Sequence, residues 1–368
     1  MIEIDGSLGE GGGQLLRTSL TLAAITGQPF RMTRVRARRR PPGLKAQHRK
    51  AVEAIAAICG ARVEGTELGS QTLLFEPGPI APGEFSLDIG TAGATSLVLQ
   101  TILPPLSFAS AASYVDLRGG THVRWSPCFD YLKLHWLAFM RKIGFEADIE
   151  MARAGFYPAG GGLIRAAIRP TRRLRPILLM ERGPMRSIRG ISGVARLDPR
   201  IAERQRDEAV RRLVGQAPAI ELEVVHLASS SPGTLLLLRA EFENSAACFF
   251  SLGERGKPAE RVADEAVDQL LEFLASGGAV DSYLADQLVL PLALAPGESA
   301  VAVSPLTGHL TTNAEIVRRF LPVRIEIDAP EGRAGVIRIQ GAGISPAESA
   351  GSGSRSALPA PRSEPLPV

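Results

Sequence analysis

The sequence predicts a mixed α/β protein, built from repeated helix-and-strand modules and interrupted by an inserted unit. Three observations carry this reading. Stretches with strand-like and helix-like hydrophobic periods alternate along the chain, which argues against a helical bundle or an all-β sandwich. The triple glycine Gly11-Gly12-Gly13 recurs as Gly160-Gly161-Gly162, the kind of echo a duplicated unit leaves. Between about Glu181 and Gly278 the texture changes to an arginine-rich helical stretch flanked by new strand-like runs.

Taken in order, Ile2-Glu3-Ile4 predicts a short strand, Gly6 to Gly13 a glycine-rich turn, and Gln14 to Ile25 a helix closed by Gly27. Phe30 to Arg36 predicts a strand, Lys45 to Cys59 a helix ended by Gly60, and Ala61 to Glu64 with Thr72 to Phe75 a pair of strands. A second module follows, with a strand at Phe85 to Ile89, a turn at Gly90 to Ala94, a helix through Leu97 and Ile102, and a strand at Tyr114 to Leu117. Phe129 to Ile143 predicts a helix and Leu163 to Ile168 a strand. The insert carries helices near Pro199 to Val214 and Ala259 to Leu274, with strands at Glu221 to Val225 and Thr234 to Ala240. The first pattern then resumes with a helix at Tyr283 to Leu294 and a strand near Ala300 to Val303. After the Gly308-His309 turn come a helix at Thr312 to Phe320 and strands near Val323 to Ile327 and Gly335 to Ile339. The expected division is a large domain of residues 1–180 plus 279–341, an insert of 181–278 and a tail of 342–368. Rich in Ser, Pro, Ala and Gly, that tail is expected to be disordered.

At 368 residues and 45% hydrophobic content the chain can bury a large core. No apolar run reaches eighteen residues, and Met1 to Asp5 alternates apolar with acidic residues rather than forming a basic, greasy leader, so a cytoplasmic protein without a membrane partner is expected. Cys59, Cys128 and Cys248 are widely separated, which suggests buried thiols rather than a disulfide framework or a zinc cluster. The formal charge of +4 is modest, but its distribution is uneven. Arg31, Arg34, Arg36, Arg38, Arg39, Arg40, Lys45, Arg49 and Lys50 share twenty residues with no acid among them, and Pro41-Pro42-Gly43 turns the chain at their centre. This run is either a solvated face or a set of cations aimed at phosphate.

Gly9-Glu10-Gly11-Gly12-Gly13-Gln14 lies where a strand meets a helix, a place whose free N–H groups favour anions, yet it matches neither common nucleotide-binding fingerprint. It reads equally well as a structural turn, and Glu10 suits a metal or a positioning role better than an anion cradle. His48, His122, His135 and His226 read as packing or surface residues. His309 follows Ser304 to Gly308 in a small, polar loop before a helix, where either a reacting group or a structural hydrogen bond is plausible. Tyr283, Asp286 and Gln287, on the preceding helix, form either a nucleoside-holding face or an ordinary polar one.

The ordered set Asp5-Gly6, Gly9 to Gln14, Arg17, Arg36, Pro42-Gly43-Leu44, Gln47-His48, Gly90, Gly93, Gln100, Gly119-Gly120-Thr121, Gly155 to Pro158, Gly160 to Gly162, Leu284, Asp286-Gln287 and Gly308-His309 closely resembles the RNA 3'-terminal phosphate cyclase family. The resemblance spans residues 1 to about 340. It implies a large domain of repeated units, each of two helices on a four-stranded sheet, with a smaller α/β insert. It implies an ATP-dependent conversion of an RNA 3'-phosphate to a 2',3'-cyclic phosphate, with His309 as the nucleophile that carries AMP. By the same resemblance Glu10 would help hold Mg2+ or Mn2+. Gln100, Pro127, Tyr283, Leu284, Ala285, Asp286 and Gln287 would line the ATP site, and Arg17, Arg36, Arg39 and His48 would face phosphate or RNA. His122 and Arg124-Trp125 depart from the family's pattern in the loop before Pro127. Two rival readings stand beside it: a family branch that lacks the histidine and serves without cyclase activity, as a binding protein, and an enolpyruvyl-type transferase, whose repeated helix-and-sheet units resemble this architecture.

Overall fold

The computed structural model describes residues 1–345. One pattern is used three times: strand, helix, strand, helix, and a hairpin. The first unit comprises β1 (Ile2–Asp5), α1 (Gly13–Thr26), β2 (Phe30–Thr33), α2 (Ala46–Cys59), β3 (Arg62–Glu64) and β4 (Leu73–Glu76). The second comprises β5 (Glu84–Asp88), α3 (Thr95–Leu106), β6 (Ser113–Gly119), α4, β7 (Glu146–Arg153) and β8 (Gly162–Arg169). Helix α4 runs Phe129–Tyr131, a π turn at Leu132–Trp136, then Leu137–Ile143.

A two-residue strand β9 (Leu178–Leu179) leads into the insert: β10 (Met185–Ala195), α5 (Arg200–Leu213), β11 (Ile220–His226), β12 (Gly233–Phe242), β13 (Ala246–Leu252) and α6 (Ala259–Ala275). The third unit is β14 (Val280–Asp281), α7 (Ser282–Leu294), β15 (Pro296–Ser304), α8 (Gly308–Phe320), β16 (Arg324–Ile327) and β17 (Gly335–Ala342).

The three sheets have matching orders, β1-β2-β4-β3, β5-β6-β8-β7 and β14-β15-β17-β16, with β9 added beside β15. In each, the first pair is parallel and the other two pairs are antiparallel. The parallel pair requires a crossover, which the first helix of the unit supplies. The insert differs, with order β11-β10-β12-β13.

Repetition is therefore threefold, but the glycine echo is not what marks it. Gly11 to Gly13 joins β1 to α1, whereas Gly160 to Gly162 closes the β7–β8 hairpin, so the two triplets occupy different places in their units. Gly160 and Gly161 have φ of 66° and 72°, and a Cβ on Gly160 would lie 2.9 Å from backbone atoms of Thr91 and Ala92. Glycine is required there by a tight approach rather than by ancestry.

A single apolar core runs through all three units and includes Leu235, Leu237 and Cys248 from the inserted sheet. Their alternates Leu236 and Leu238 face a second cluster with Ala209 and Leu213 of α5 and Val267 and Leu270 of α6. Burial on both faces explains why β12 reads as an unbroken leucine run, since successive side chains point to opposite sides of a sheet. All three cysteines are buried and free.

Five strands escaped the sequence reading: β7, β10 and β13, and the two-residue β9 and β14. Strand β2 stops at Thr33, because Arg34 and Arg36 take left-handed φ of 51° and 54° and turn the chain. Helix α8 begins at Gly308, four residues before the expected Thr312. Ala342, expected to open the tail, still pairs with Pro296, and Gly343 and Ile344 donate to the carbonyls of Ala295 and Leu294. Residues 346–368 of the expected tail lie outside the described residues. No helix among the described residues is long and apolar enough to cross a membrane.

Candidate active site

Helix α1 starts without a side-chain cap on Gly12 and without an acid in its first turn, which leaves its N–H groups open at the positive end of the helix dipole. The glycines admit neighbours that any side chain would exclude. A Cβ on Gly13 would lie 2.2 Å from His48 Nε2, and one on Gly9 would lie 1.8 Å from Thr312 Oγ1. Around this helix end stand Arg17, Arg36, Arg39, Lys45 and His48, all on the wall of a cavity of about 1030 Å³.

These cations are not equivalent. Burial pushes Arg17 down to about 10, with no acid offsetting it. Arg36 is buried and spends Nη1 on the carbonyls of Gly43 (2.7 Å) and Pro41 (3.2 Å), so it also ties the arginine-rich turn closed. Of the remaining arginines in that run, Arg39 reaches the cavity while Arg38 and Arg40 do not. His48 accepts at Nδ1 from the Lys45 N–H (3.3 Å). Its pKa is pushed down to about 3, first by burial and then by the charges of Arg17, Arg36 and Lys45. It is a neutral imidazole whose Nε2 keeps its hydrogen as a donor.

His309 enters from the other side, on the first turn of α8. Thr307 caps that helix, its hydroxyl accepting from Leu310 N–H (3.0 Å) while donating to Asp286 Oδ1 (2.6 Å). His309 Nε2 lies 3.0 Å from Glu10 Oε2, and Arg39 Nη2 donates to the same oxygen at 3.3 Å. Burial lowers the imidazole pKa; Glu10 opposes this, Arg39 and Arg17 reinforce it, and Glu331 opposes it again. The net result is a neutral ring at neutral pH. A neutral imidazole that carries a lone pair into a cationic cavity is a competent nucleophile toward an anionic electrophile.

The remainder of the cavity is bounded by α3, α7 and the insert. Gln100 Nε2 donates to Gln287 Oε1 at 2.7 Å, joining α3 to α7. Asn313 Nδ2 donates to the Asp286 carbonyl (2.8 Å) and Asn313 Oδ1 accepts from Thr18 Oγ1 (2.6 Å), which locks α8 to α7 and α1. Asp286 is buried and its pKa is pushed up to about 8, mainly by desolvation. Tyr283 is half exposed on the same helix. Phe250, Ser251, Leu252, Glu254 and Lys257 of the insert close the wall.

Of the residues singled out by sequence, His309, Gln100, Pro127, Tyr283, Asp286, Gln287, Arg17, Arg36, Arg39 and His48 line this one cavity. Glu10 joins it through His309 and Arg39. Leu284 and Ala285 do not: both are buried on the core side of α7, as a helix with Tyr283, Asp286 and Gln287 toward the cavity requires. His122 is also not on the wall. It is buried between Thr121 Oγ1 (2.8 Å) and Asp130 Oδ2 (2.9 Å) and stacks on Phe156, so it anchors the loop before Pro127. Cys128 brings a third donor atom within 4.8 Å, but His122 is already bonded to Asp130 and burial pushes the Cys128 thiol well up, a structural cluster by its chemistry. The insert's contribution had no signal in the sequence, since Phe249-Phe250 there reads as core.

A model of the family described as RNA 3'-terminal phosphate cyclase matches residues 8–327. Three proteins bearing that name are similar over nearly their whole lengths. The one from Methylococcus capsulatus is 47% identical, over 93% of this chain and 97% of that one. That from Methanopyrus kandleri is 42% identical, over 92% and 99%. That from Ralstonia nicotianae is 47% identical, over 92% and 96%. The enolpyruvyl transferase NikO from Streptomyces tendae aligns with a TM-score of 0.36 at 13% identity, over 92% of this chain and 48% of that one, too loosely to bear on fold or function.

Proposed function

This chain belongs to the RNA 3'-terminal phosphate cyclase family, and from that premise we propose that it is a ligase of RNA processing, acting in the cytoplasm, that closes an RNA 3'-phosphate into a 2',3'-cyclic phosphodiester at the expense of ATP. The observation that carries the nucleophilic mechanism is His309: a neutral imidazole, on a capped helix end, facing a cavity whose opposite end is an open helix N-terminus ringed by cations.

In the first step an imidazole nitrogen of His309 attacks the α-phosphorus of ATP. A P–N bond forms, the α–β bridging P–O bond breaks, and pyrophosphate leaves with its electron pair. An oxygen of the RNA 3'-phosphate then attacks the same phosphorus, the P–N bond breaks, and the ring recovers its lone pair. The 2'-hydroxyl oxygen attacks the activated 3'-phosphorus, its proton is released, and AMP leaves. Activation by covalent transfer is needed because a phosphate monoester has no good leaving group.

The chain's own groups have defined parts in this. Arg17, Arg39 and the α1 N–H groups bind phosphate oxygens, while His48, held neutral, donates from Nε2 without adding charge. Gln100, Pro127, Tyr283, Asp286 and Gln287 hold the nucleoside. From where a Cβ on Gly308 would be, Glu10 Oε1 lies 3.3 Å away and Glu331 Oε1 and Oε2 lie 3.1 and 3.2 Å away. Two carboxylates beside a phosphate site fit a hard divalent cation, Mg2+ or Mn2+, which would supply positive charge against the triphosphate.

The deciding experiment incubates the wild type and His309→Ala with α-labelled ATP and a divalent metal, then with 3'-phosphorylated RNA. Acid-labile, alkali-stable label on denatured wild type alone, discharged by RNA with formation of cyclic ends, is expected. No label with either metal refutes the adenylate mechanism and leaves a binding protein.

A further inference from the structure

Among the described residues, Trp125 is the most exposed large hydrophobic side chain on the cavity wall. It is 95% exposed, against 2% for Trp136, the chain's other tryptophan. Its backbone is also unusual, with a left-handed φ of 64°, a conformation that bulky side chains rarely adopt. Neither feature helps folding: the ring buries almost nothing, and the backbone is strained to present it. Such strain persists only where the surroundings impose it, and it gathers at functional positions.

The surroundings here are rigid. Thr121 and His122 donate their N–H groups to the Gly155 carbonyl (2.9 and 3.1 Å), and Phe129 N–H donates to the Thr121 carbonyl (3.0 Å). Ser126 Oγ donates to the Val123 carbonyl (3.0 Å), and the His122–Asp130 pair anchors the loop's base. Arg124 forms an ion pair with Glu254 of the insert, also on the cavity wall. The loop is thus pinned on both sides of Trp125 while the indole stands free at the cavity's edge.

We propose that Trp125 is a stacking platform for a nucleobase at the 3' end of the RNA substrate, a positioning residue for the second and third steps. This rests on the reading of the cavity as an RNA and ATP site. A polyanionic strand offers an exposed indole only one apolar partner, the face of a base, and such stacking tolerates any base. ATP is the other source of a base. A bound adenine needs enclosure, which the region of Gln100, Tyr283 and Gln287 offers; a ring exposed this fully suits a strand that must leave the cavity.

The two tryptophans make the test direct. A 3'-phosphorylated oligoribonucleotide titrated into the full chain is expected to quench the red, solvent-exposed part of the emission, and to quench nothing in Trp125→Phe. In turnover, Trp125→Ala is expected to raise KM for RNA roughly ten-fold, with kcat and the KM for ATP unchanged, and Trp125→Tyr to restore most of it. Equal quenching by ATP in the absence of RNA would reassign the platform to adenine and overturn the proposal, as would an unchanged KM for RNA in Trp125→Ala. The fluorescence arm needs no turnover. A chain that binds RNA through Trp125 but forms no adenylate therefore fails the preceding reading alone, whereas a chain that cyclises RNA equally well as Trp125→Ala fails this one alone.

Discussion

His309 Nε2 stands 3.0 Å from Glu10 Oε2, joining the first turn of α8 to the glycine turn that precedes α1. The pair sets the ring's charge from both directions: burial, Arg39 and Arg17 push its pKa below 6.5, while Glu10 and Glu331 push it up. The first group prevails.

A pH profile of protein labelling by ATP tests that balance. A base with a lowered pKa stays neutral below pH 6.5, so the rate is expected to hold from neutral pH down through that value and to fall only at more acid pH. Arg39→Ala removes a cation and moves the fall to higher pH. Residual activity of Glu10→Gln, which loses the opposing charge, should fall at lower pH and be at least about ten-fold slower, as for removal of one electrostatic group from a reacting site. A wild-type fall centred on or above 6.5 would contradict a desolvated ring.

Neighbouring glycines should differ sharply. A Cβ on Gly12 meets Arg39 Nη2 at 3.5 Å, an ordinary contact, whereas one on Gly13 meets His48 Nε2 at 2.2 Å. Gly12→Ala is expected to fold and take label within a few-fold of wild type. Gly13→Ala must displace His48 or α1, costing about 1–3 kcal/mol as other overpacked sites do and most of the activity. Urea midpoints and labelling, measured together, check both.

What the sequence revealed of this site follows from what each residue does. Glycines forced by close approach, a helix stop at Gly27 and a cationic run all leave local traces, and they placed β1, α1, α2 and the cation-lined end of the cavity. His309 was visible, and so was most of its helix, but not the helix start, since Gly308 reads as a loop residue until Thr307 is seen to cap α8 by bonding Leu310. The insert's wall left no trace, because Phe250 and Lys257 reach the cavity only through tertiary packing. The repeat was inferred from glycine triplets that prove non-equivalent; its true mark is strand order, which no local pattern carries. The side chains of Leu284 and Ala285 turn to the core because a run of contiguous residues on a helix cannot all face one way.

The cap itself predicts a further contrast. Thr307 both accepts from Leu310 and donates to Asp286, so Thr307→Val removes a helix cap worth about 1 kcal/mol and leaves a buried carboxyl oxygen without its donor. Loss of about 2–3 kcal/mol in all, with reduced labelling as the turn bearing His309 loosens, is expected. Thr307→Ser keeps the hydroxyl and should lose little of either. Equal effects of the two substitutions would mean that the methyl group, not the hydrogen bonds, holds the turn.

Asp286 yields the prediction with the most definite sign. Its carboxyl pKa is pushed up from 3.8 to about 8, mainly by burial, so near neutrality the folded chain keeps a proton that the unfolded chain has lost. Stability from this group is therefore undiminished below about pH 4, declines as pH rises toward 8, and is constant beyond. Asn preserves the shape, the acceptor for Thr307 and a donor, but has no proton to lose. The stability difference between Asp286→Asn and wild type should be near zero at pH 4 and grow in the variant's favour to about 1–3 kcal/mol by pH 8, less than the full shift implies because a buried charge relaxes its surroundings. Denaturant unfolding of both proteins at the two pH values measures this, and other titrations cancel in the difference. A variant that instead loses ground as pH rises would show that Asp286 is ionised in the folded protein and held so by the cations across the cavity, and its part in the site would then be to oppose Arg17 and Arg39 rather than to stand neutral.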